Sequence, residues 1–234
     1  MTESARARIF QNSIPYSLPP MSTIYLIRHG ETLWNLEGRF QGQLDSDLSP
    51  LGYQQVEALR EHFANVHIDA VYSSDLGRAL KTAAVIGEVH GLKVLEAVEL
   101  RERSFGIFEG MLRSEAEARA QDAYEAWSSG TFGEVVPGAE SRKTMCQRVI
   151  NCLNTIAERH PQQSVVVLTH GGVLSALWRV LEPDRTEKDG FSIPNASISR
   201  AICEKEKWQI LEWSNVDHLK GLSSMDDHDN NPHR

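Results

Sequence analysis

Leu26-Ile27-Arg28-His29-Gly30-Glu31 is the stretch on which the reading of this chain turns. The apolar run Ile24-Tyr25-Leu26-Ile27 breaks abruptly into Arg-His-Gly-Glu. The run reads as a buried strand and the break as its carboxyl end. In open α/β sheets ligands bind beyond that end. An arginine beside a histidine there sets a bidentate phosphate binder next to a potential nucleophile. Taken alone, the tetrapeptide fits a surface Arg-His pair in a loop equally well, because short motifs match by chance.

The design recurs. Ser164-Val165-Val166-Val167-Leu168 runs into Thr169-His170-Gly171-Gly172 and then a helical stretch at 173–181. Ala70-Val71-Tyr72 ends at Ser73-Ser74 and precedes a helix carrying Arg78. Between these lies Leu100-Arg101-Glu102-Arg103-Ser104-Phe105-Gly106-Ile107-Phe108-Glu109-Gly110.

Six blocks then stand in order: R-H-G-E-T-x-W-N at 28–35, G-R-F-Q-G at 38–42, L-S-P-L-G at 48–52, S-S-D-L-x-R-A-x-x-T-A at 73–83, L-R-E-x-x-F-G-x-F-E-G at 100–110 and T-H-G-G at 169–172. This set resembles the histidine phosphatase superfamily, which holds cofactor-dependent phosphoglycerate mutases, fructose-2,6-bisphosphatase-type domains and broad acid phosphatases. The resemblance runs over residues 22–219. It implies a phosphoglycerate mutase-like fold and phosphoryl transfer through a histidine.

Composition is compatible with that. The chain of 234 residues suits one domain with a sizeable core, and 41% hydrophobic with 24% charged residues is ordinary for a globular protein. The net charge of −8 disfavours nucleic acid and anionic membranes as partners, so an anion pocket has to be assembled locally. Cys146, Cys152 and Cys203 are odd in number and lack metal-site spacing; they read as reduced thiols of a cytoplasmic protein. No apolar run approaches the ~18 residues of a membrane span. The expected partner is a small phosphorylated metabolite, with a homodimer as the association to consider, and no cofactor or metal is expected.

Along the chain, residues 1–20 form a polar, proline-containing extension without the apolar core of a secretory signal, and Met21 offers an alternative start. Ser49-Pro50 caps a helix ending near His62. Asp75 is read as the cap of the next helix, with Gly91 as its stop. Residues 93–98 read as a strand, 111–130 as helical, 131–141 as a loop and 141–160 as a long helix; 196–203 and 208–213 form a hairpin at the sheet edge. Residues 223–234 are a polar tail. The alternation gives an α/β class fold, a three-layer α/β/α sandwich with a mainly parallel sheet. A helical cap insertion at about 104–140 covers the crevice of a 21–222 domain, longer than a simple crossover needs.

The candidate machinery follows from what phosphomonoester hydrolysis requires. His29 is the nucleophile, provided one ring nitrogen is held as N–H so that the other attacks phosphorus. Arg28 and Arg78 are the clamp, their planar forks matching phosphoryl oxygens. His170, as imidazolium or N–H donor, meets the charge on the equatorial oxygens. Gly171 and Gly172 open a helix whose backbone amides face the phosphate, and Asn35, Gln41 and Gly42 are candidate substrate contacts. The resemblance assigns Glu102 as the acid that protonates the leaving oxygen and then activates water. Arg101 and Arg103 are read as surface ion-pair partners, and Glu31 and Glu109 as loop braces. Trp34, Phe40, Phe105, Phe108 and Phe132 are core or substrate walls, and His218 has no assigned role.

Phosphoglycerate mutases carry Gly-Asn after the second histidine, an Arg-Arg pair in the cap and a Tyr shortly after the acid. This chain has Gly171-Gly172, no Arg-Arg pair and Phe105. The departures favour a metal-independent phosphatase. Mutase-type transfer and a phosphoprotein-directed or signalling role are the alternatives.

Overall fold

A computed structural model describes residues 21–128, 136–182 and 192–222. Six strands form one sheet: β1 (Ser22–Arg28), β2 (Ala70–Ser73), β3 (Val94–Glu96), β4 (Ser164–Thr169), β5 (Ile198–Glu204) and β6 (Lys207–Asn215), in the order β3-β2-β4-β1-β5-β6. The first four positions in that order run parallel, and β5 and β6 join antiparallel at the edge.

Strand alternation divides the core. Val165 and Val167 of β4, with Ile24 and Leu26 of β1, pack beneath Met145, Val149, Leu153, Leu174 and Leu177. Those residues belong to α6 (Arg142–Arg159) and α7 (Gly171–Leu181). Val166, Leu168 and Ile27 face the other way, onto Leu59, Phe63, Ala79, Ala83 and Ile86. That layer is α2 (Pro50–Phe63) and α3 (Gly77–His90). Both faces of β1 and β4 are therefore dry, which is why their sequences run continuously apolar instead of alternating.

A third cluster, Phe40, Phe108, Ala116, Ala123 and Trp127, is the core of the cap. Two short helices, α4 (Arg113–Arg119) and α5 (Gln121–Ser128), supply much of it. Phe40 stacks on Phe108 with ring centroids 5.3 Å apart and meets Trp127 edge-on at 4.8 Å. Phe40 and Phe108 are thus packing residues.

Three expectations are corrected. Asp75 does not cap α3: Leu76 occupies the cap position without a side-chain bond, and the Asp75 carboxylate takes Arg101 Nε at 2.7 Å instead. The strand expected at 93–98 shortens to three residues because Val98–Leu100 turns into a 3₁₀ helix. Arg103 is not at the surface; it is buried, with its guanidinium 4.9 Å above the Phe105 ring. Residues 1–20, Phe132 within the 131–141 loop, and 223–234 lie outside the described residues.

Candidate active site

Parallel register builds the centre of the site. Arg28 pairs with Thr169 at the ends of β1 and β4, so the next residue on each strand is a histidine. The His29 and His170 rings lie 5.2 Å apart, tilted by 56°. The His29 backbone is pinned on three sides: its N–H donates to Thr169 O at 3.1 Å, and its carbonyl accepts from Ala196 N at 3.1 Å and Asn195 Nδ2 at 3.0 Å. Its ring Nδ1 lies 2.7 Å from the Gly30 carbonyl. A carbonyl only accepts, so Nδ1 carries the proton and Nε2 presents a lone pair.

Arg28 stands on the α7 side of β1 by strand alternation. It donates from Nη1 to Ile193 O at 2.5 Å, and a β-carbon at Gly171 would stand 3.2 Å from its Nε. The guanidinium therefore lies against the first turn of α7. Arg78, 1% exposed, is anchored on the opposite side. Its Nη1 donates to Leu44 O at 2.7 Å and Asp45 Oδ1 at 2.9 Å, and Nη2 to Gly42 O at 2.8 Å. Nε has no hydrogen-bond partner among the described residues. An arginine has five N–H donors, so Nε and the second Nη2 hydrogen, which share one edge of the fork, remain for a ligand. Burial lowers the Arg78 pKa, and Asp45 opposes that.

His170 is completely buried. Burial first, and then the charges of Arg78, His29 and Arg28, hold its pKa well below 6.5. Of the two forms open to it, the neutral N–H donor is the one present at neutral pH. Its Nε2 lies 2.9 Å from Ser74 Oγ.

Glu102 is buried at the mouth of α7. Oε2 accepts from the Gly172 N–H at 2.8 Å and Oε1 from its neighbour Arg103 N at 2.7 Å. Any side chain at position 172 would invade that carboxylate, which is why glycine stands there. Behind it, Arg148 fixes the loop. Its Nη1 donates to the carbonyls of Glu99 and Arg101, its Nη2 to the carbonyl of Glu102, and Nε and Nη2 grip the Glu140 carboxylate at 2.8 and 2.7 Å.

The candidate substrate contacts sort differently. Asn35 completes a capping box with Thr32 at the head of α1 (Leu33–Glu37): its Oδ1 accepts from Thr32 N at 3.0 Å, leaving Nδ2 as its donor. Gln41 is buried, and its Oε1 has no partner among the described residues. Gly42 adopts φ +56°, a left-handed turn that aims its carbonyl at Arg78. Glu31 and Glu109 are braces: Glu31 Oε1 takes Ser49 Oγ at 2.6 Å, and Glu109 Oε1 takes the amides of Gln43 and Phe105. The sequence did not single out Ser74, Asp45, Asn195 or Arg148. Ser74 carried the one available signal, a hydroxyl at the end of the strand beside that of His170.

The model of the histidine phosphatase superfamily (branch 1) matches residues 24–216. The chain is 37% identical over 209 residues to a metal-independent phosphoserine phosphatase of Arabidopsis thaliana, covering 88% of this chain and 86% of that one. The fold superimposes on Bacillus stearothermophilus YhfR with a TM-score of 0.77 at 27% identity, covering 85% and 100% of the two chains. It also superimposes on a mutant phosphoserine phosphatase from Entamoeba histolytica in complex with phosphoserine, with a TM-score of 0.72 at 27% identity and coverage of 85% and 99%.

Proposed function

The chain belongs to the histidine phosphatase superfamily and is a phosphoric monoester hydrolase, and on that premise we propose that His29 is its nucleophile and phosphoserine its substrate class. The observation that carries the first part is the Nδ1–H of His29 held to Gly30 O at 2.7 Å. This fixes the tautomer before substrate arrives, with Nε2 as the attacking atom.

The cycle has two steps. The Nε2 lone pair forms a bond to phosphorus while the ester P–O bond breaks. Glu102, as the general acid, passes a proton to the departing alkoxide. Glu102, now the carboxylate, then takes a proton from water as that oxygen bonds to phosphorus and the P–N bond breaks, releasing inorganic phosphate. Arg28, the open edge of Arg78 and the His170 N–H meet the negative charge on the phosphoryl oxygens throughout. Two guanidiniums thus supply the neutralisation that a metal pair supplies in other phosphatases, and the reaction needs no metal.

Phosphoserine is supported by the names of the relatives and by the chemistry of a small, buried anion site. Asn35 Nδ2 and Gln41 are the neutral amides we assign to its amino and carboxylate groups. No described helix is long and apolar enough to cross a membrane.

Rapid quench with labelled phosphoserine tests the reading. A stoichiometric, acid-labile and base-stable label is expected on the wild type and none on His29→Ala. Label retained in that variant places the nucleophile elsewhere. Free phosphate from phosphoserine, without transfer between the hydroxyls of phosphoglycerate, separates the phosphatase from a mutase. Activity lost to a chelator and restored by Mg²⁺ overturns metal independence.

A further inference from the structure

We propose that Ser74 is a positioning residue that sets the tautomer of His170, placing its single ring proton on Nδ1, where it serves the phosphoryl group. The proposal rests on the reading of His170 as a phosphoryl contact.

Sheet topology brings the pair together. β2 lies beside β4, with Ser73 opposite Leu168, and Ser74 N donates to Leu168 O at 3.0 Å. The residue after each strand, Ser74 and His170, then meets its neighbour, and Ser74 Oγ lies 2.9 Å from His170 Nε2. Both side chains are completely buried.

With a phosphoryl oxygen in place to take the Nδ1–H, counting protons gives the direction of that bond. A serine hydroxyl has one hydrogen and two lone pairs. Ser74 Oγ already accepts the Leu76 N–H at 3.3 Å. If His170 donated from Nε2, Oγ would hold two incoming donors, and its own hydrogen would have no acceptor among the described residues. A buried O–H left without an acceptor costs on the order of 1–3 kcal/mol. If Ser74 donates to Nε2 instead, every hydrogen at Oγ is satisfied. His170 is neutral, because burial and the neighbouring charges of Arg78, His29 and Arg28 oppose a second proton. Its one proton is therefore on Nδ1.

Nδ1 has no hydrogen-bond partner among the described residues, and His170 is completely buried. A buried N–H of this kind finds no acceptor among the described residues, and an oxygen of the phosphoryl group on His29 would supply one. The opposite tautomer would turn a lone pair toward that anionic oxygen, a repulsive contact. The Ser74 hydroxyl thus does for His170 what the Gly30 carbonyl does for His29. The two rings end in opposite states: His29 offers a lone pair from Nε2, and His170 offers a proton from Nδ1.

Proton–nitrogen correlation spectra of protein labelled in its histidine rings, with His170→Gln to assign the resonance, test this directly. The wild type is expected to show His170 protonated at Nδ1, with that resonance shifting when inorganic phosphate is added. In Ser74→Ala the ring should lose the preference and populate the Nε2–H form. Turnover should then fall about 10- to 100-fold, the size expected for a misdirected charge-stabilising donor, with KM changing less than kcat. Ser74→Cys, close in size but a weak donor, should fall between the two. A wild-type ring protonated at Nε2 overturns the proposal, whether or not the variants fold. So does a Ser74→Ala protein with unchanged tautomer and turnover. Either result leaves the His29 label intact, whereas failure of the functional reading removes that label and leaves the tautomer in place.

Discussion

The Gly172 amide donates to Glu102 Oε2 at 2.8 Å, and a β-carbon added at Gly172 would stand only 2.5 Å from Oε1 of the same carboxylate. The acid is therefore seated on the first turn of α7 by the absence of a side chain. Gly172→Ala must push the carboxylate aside, and the atoms that move are the end of a flexible side chain, not backbone. The thermal midpoint should barely change, while turnover of phosphoserine falls by about 100-fold, the scale of a displacement near 1 Å in a catalytic group. Wild-type turnover in Gly172→Ala would show that Glu102 works from another position.

Arg78 is held by three protein acceptors, the carbonyls of Leu44 and Gly42 and the Asp45 carboxylate, so that one edge of its fork is left for the ligand. A lysine ammonium cannot span these acceptors and a phosphoryl group at once. Arg78→Lys is expected to lose about 100-fold or more in kcat/KM. It should also lower the urea midpoint, because buried carbonyls are left unpaired. Steady-state kinetics and urea unfolding on the same preparation check both. Near-normal kcat/KM would remove Arg78 from the clamp.

The parts of this molecule that were legible in its sequence are those decided locally. Ile24 to Ile27 and Val165 to Leu168 read as buried strands because both faces of the central sheet are covered. Ser49 and Gly91 announced helix ends through chemistry that acts within one turn, and both sit as caps. His29 and His170 were visible because a strand end is visible. Asp75 carried the same local signal as Ser49, yet Arg101, 26 residues away, takes its carboxylate. Arg103 looked like a solvated cation, and only the packing of Phe105 shows where it goes. Arg148 and Asn195 join the site through contacts across the fold, which no local spacing encodes.

Stability should fall in mild acid. His218 is half-buried, its ring 5.5 Å from that of His62, and burial, followed by the His62 charge, holds its pKa down to about 4. Burial also lowers His62, against the pull of Glu212, and lowers His170. In the unfolded chain all three bind a proton near 6.5. Between about 4 and 6.5 the unfolded state therefore holds more protons at His218 than the folded one, and stability rises with pH. The His218 contribution is complete above 6.5 and is lost as pH falls toward 4, with a slope of at most about 1.4 kcal/mol per pH unit, and His62 and His170 add to it in the same direction. Urea unfolding across that interval should show the slope, and His218→Gln should flatten it. An identical slope in the variant would assign the acid sensitivity to other groups.

Glu102 and Arg148 should fail together, and only when the leaving group is poor. A serine alkoxide needs a proton in the transition state; nitrophenolate scarcely does. Glu102→Gln should therefore slow phosphorylation of His29 by phosphoserine far more than by p-nitrophenyl phosphate. Arg148 is committed to protein acceptors. All five of its N–H donors go to the carbonyls of Glu99, Arg101 and Glu102 and to the Glu140 carboxylate, tying the acid's loop to the base of the cap. A lysine has three donors and no planar fork, so Arg148→Lys leaves part of that loop unheld. It should reproduce the leaving-group pattern of Glu102→Gln at smaller size, about tenfold for phosphoserine. In the double variant the Arg148 effect should vanish, because loosening a carboxylate that is no longer an acid has nothing to misplace. Additive losses, or equal losses with both substrates, would mean that Arg148 supports the fold at large and that Glu102 acts through its charge instead of its proton.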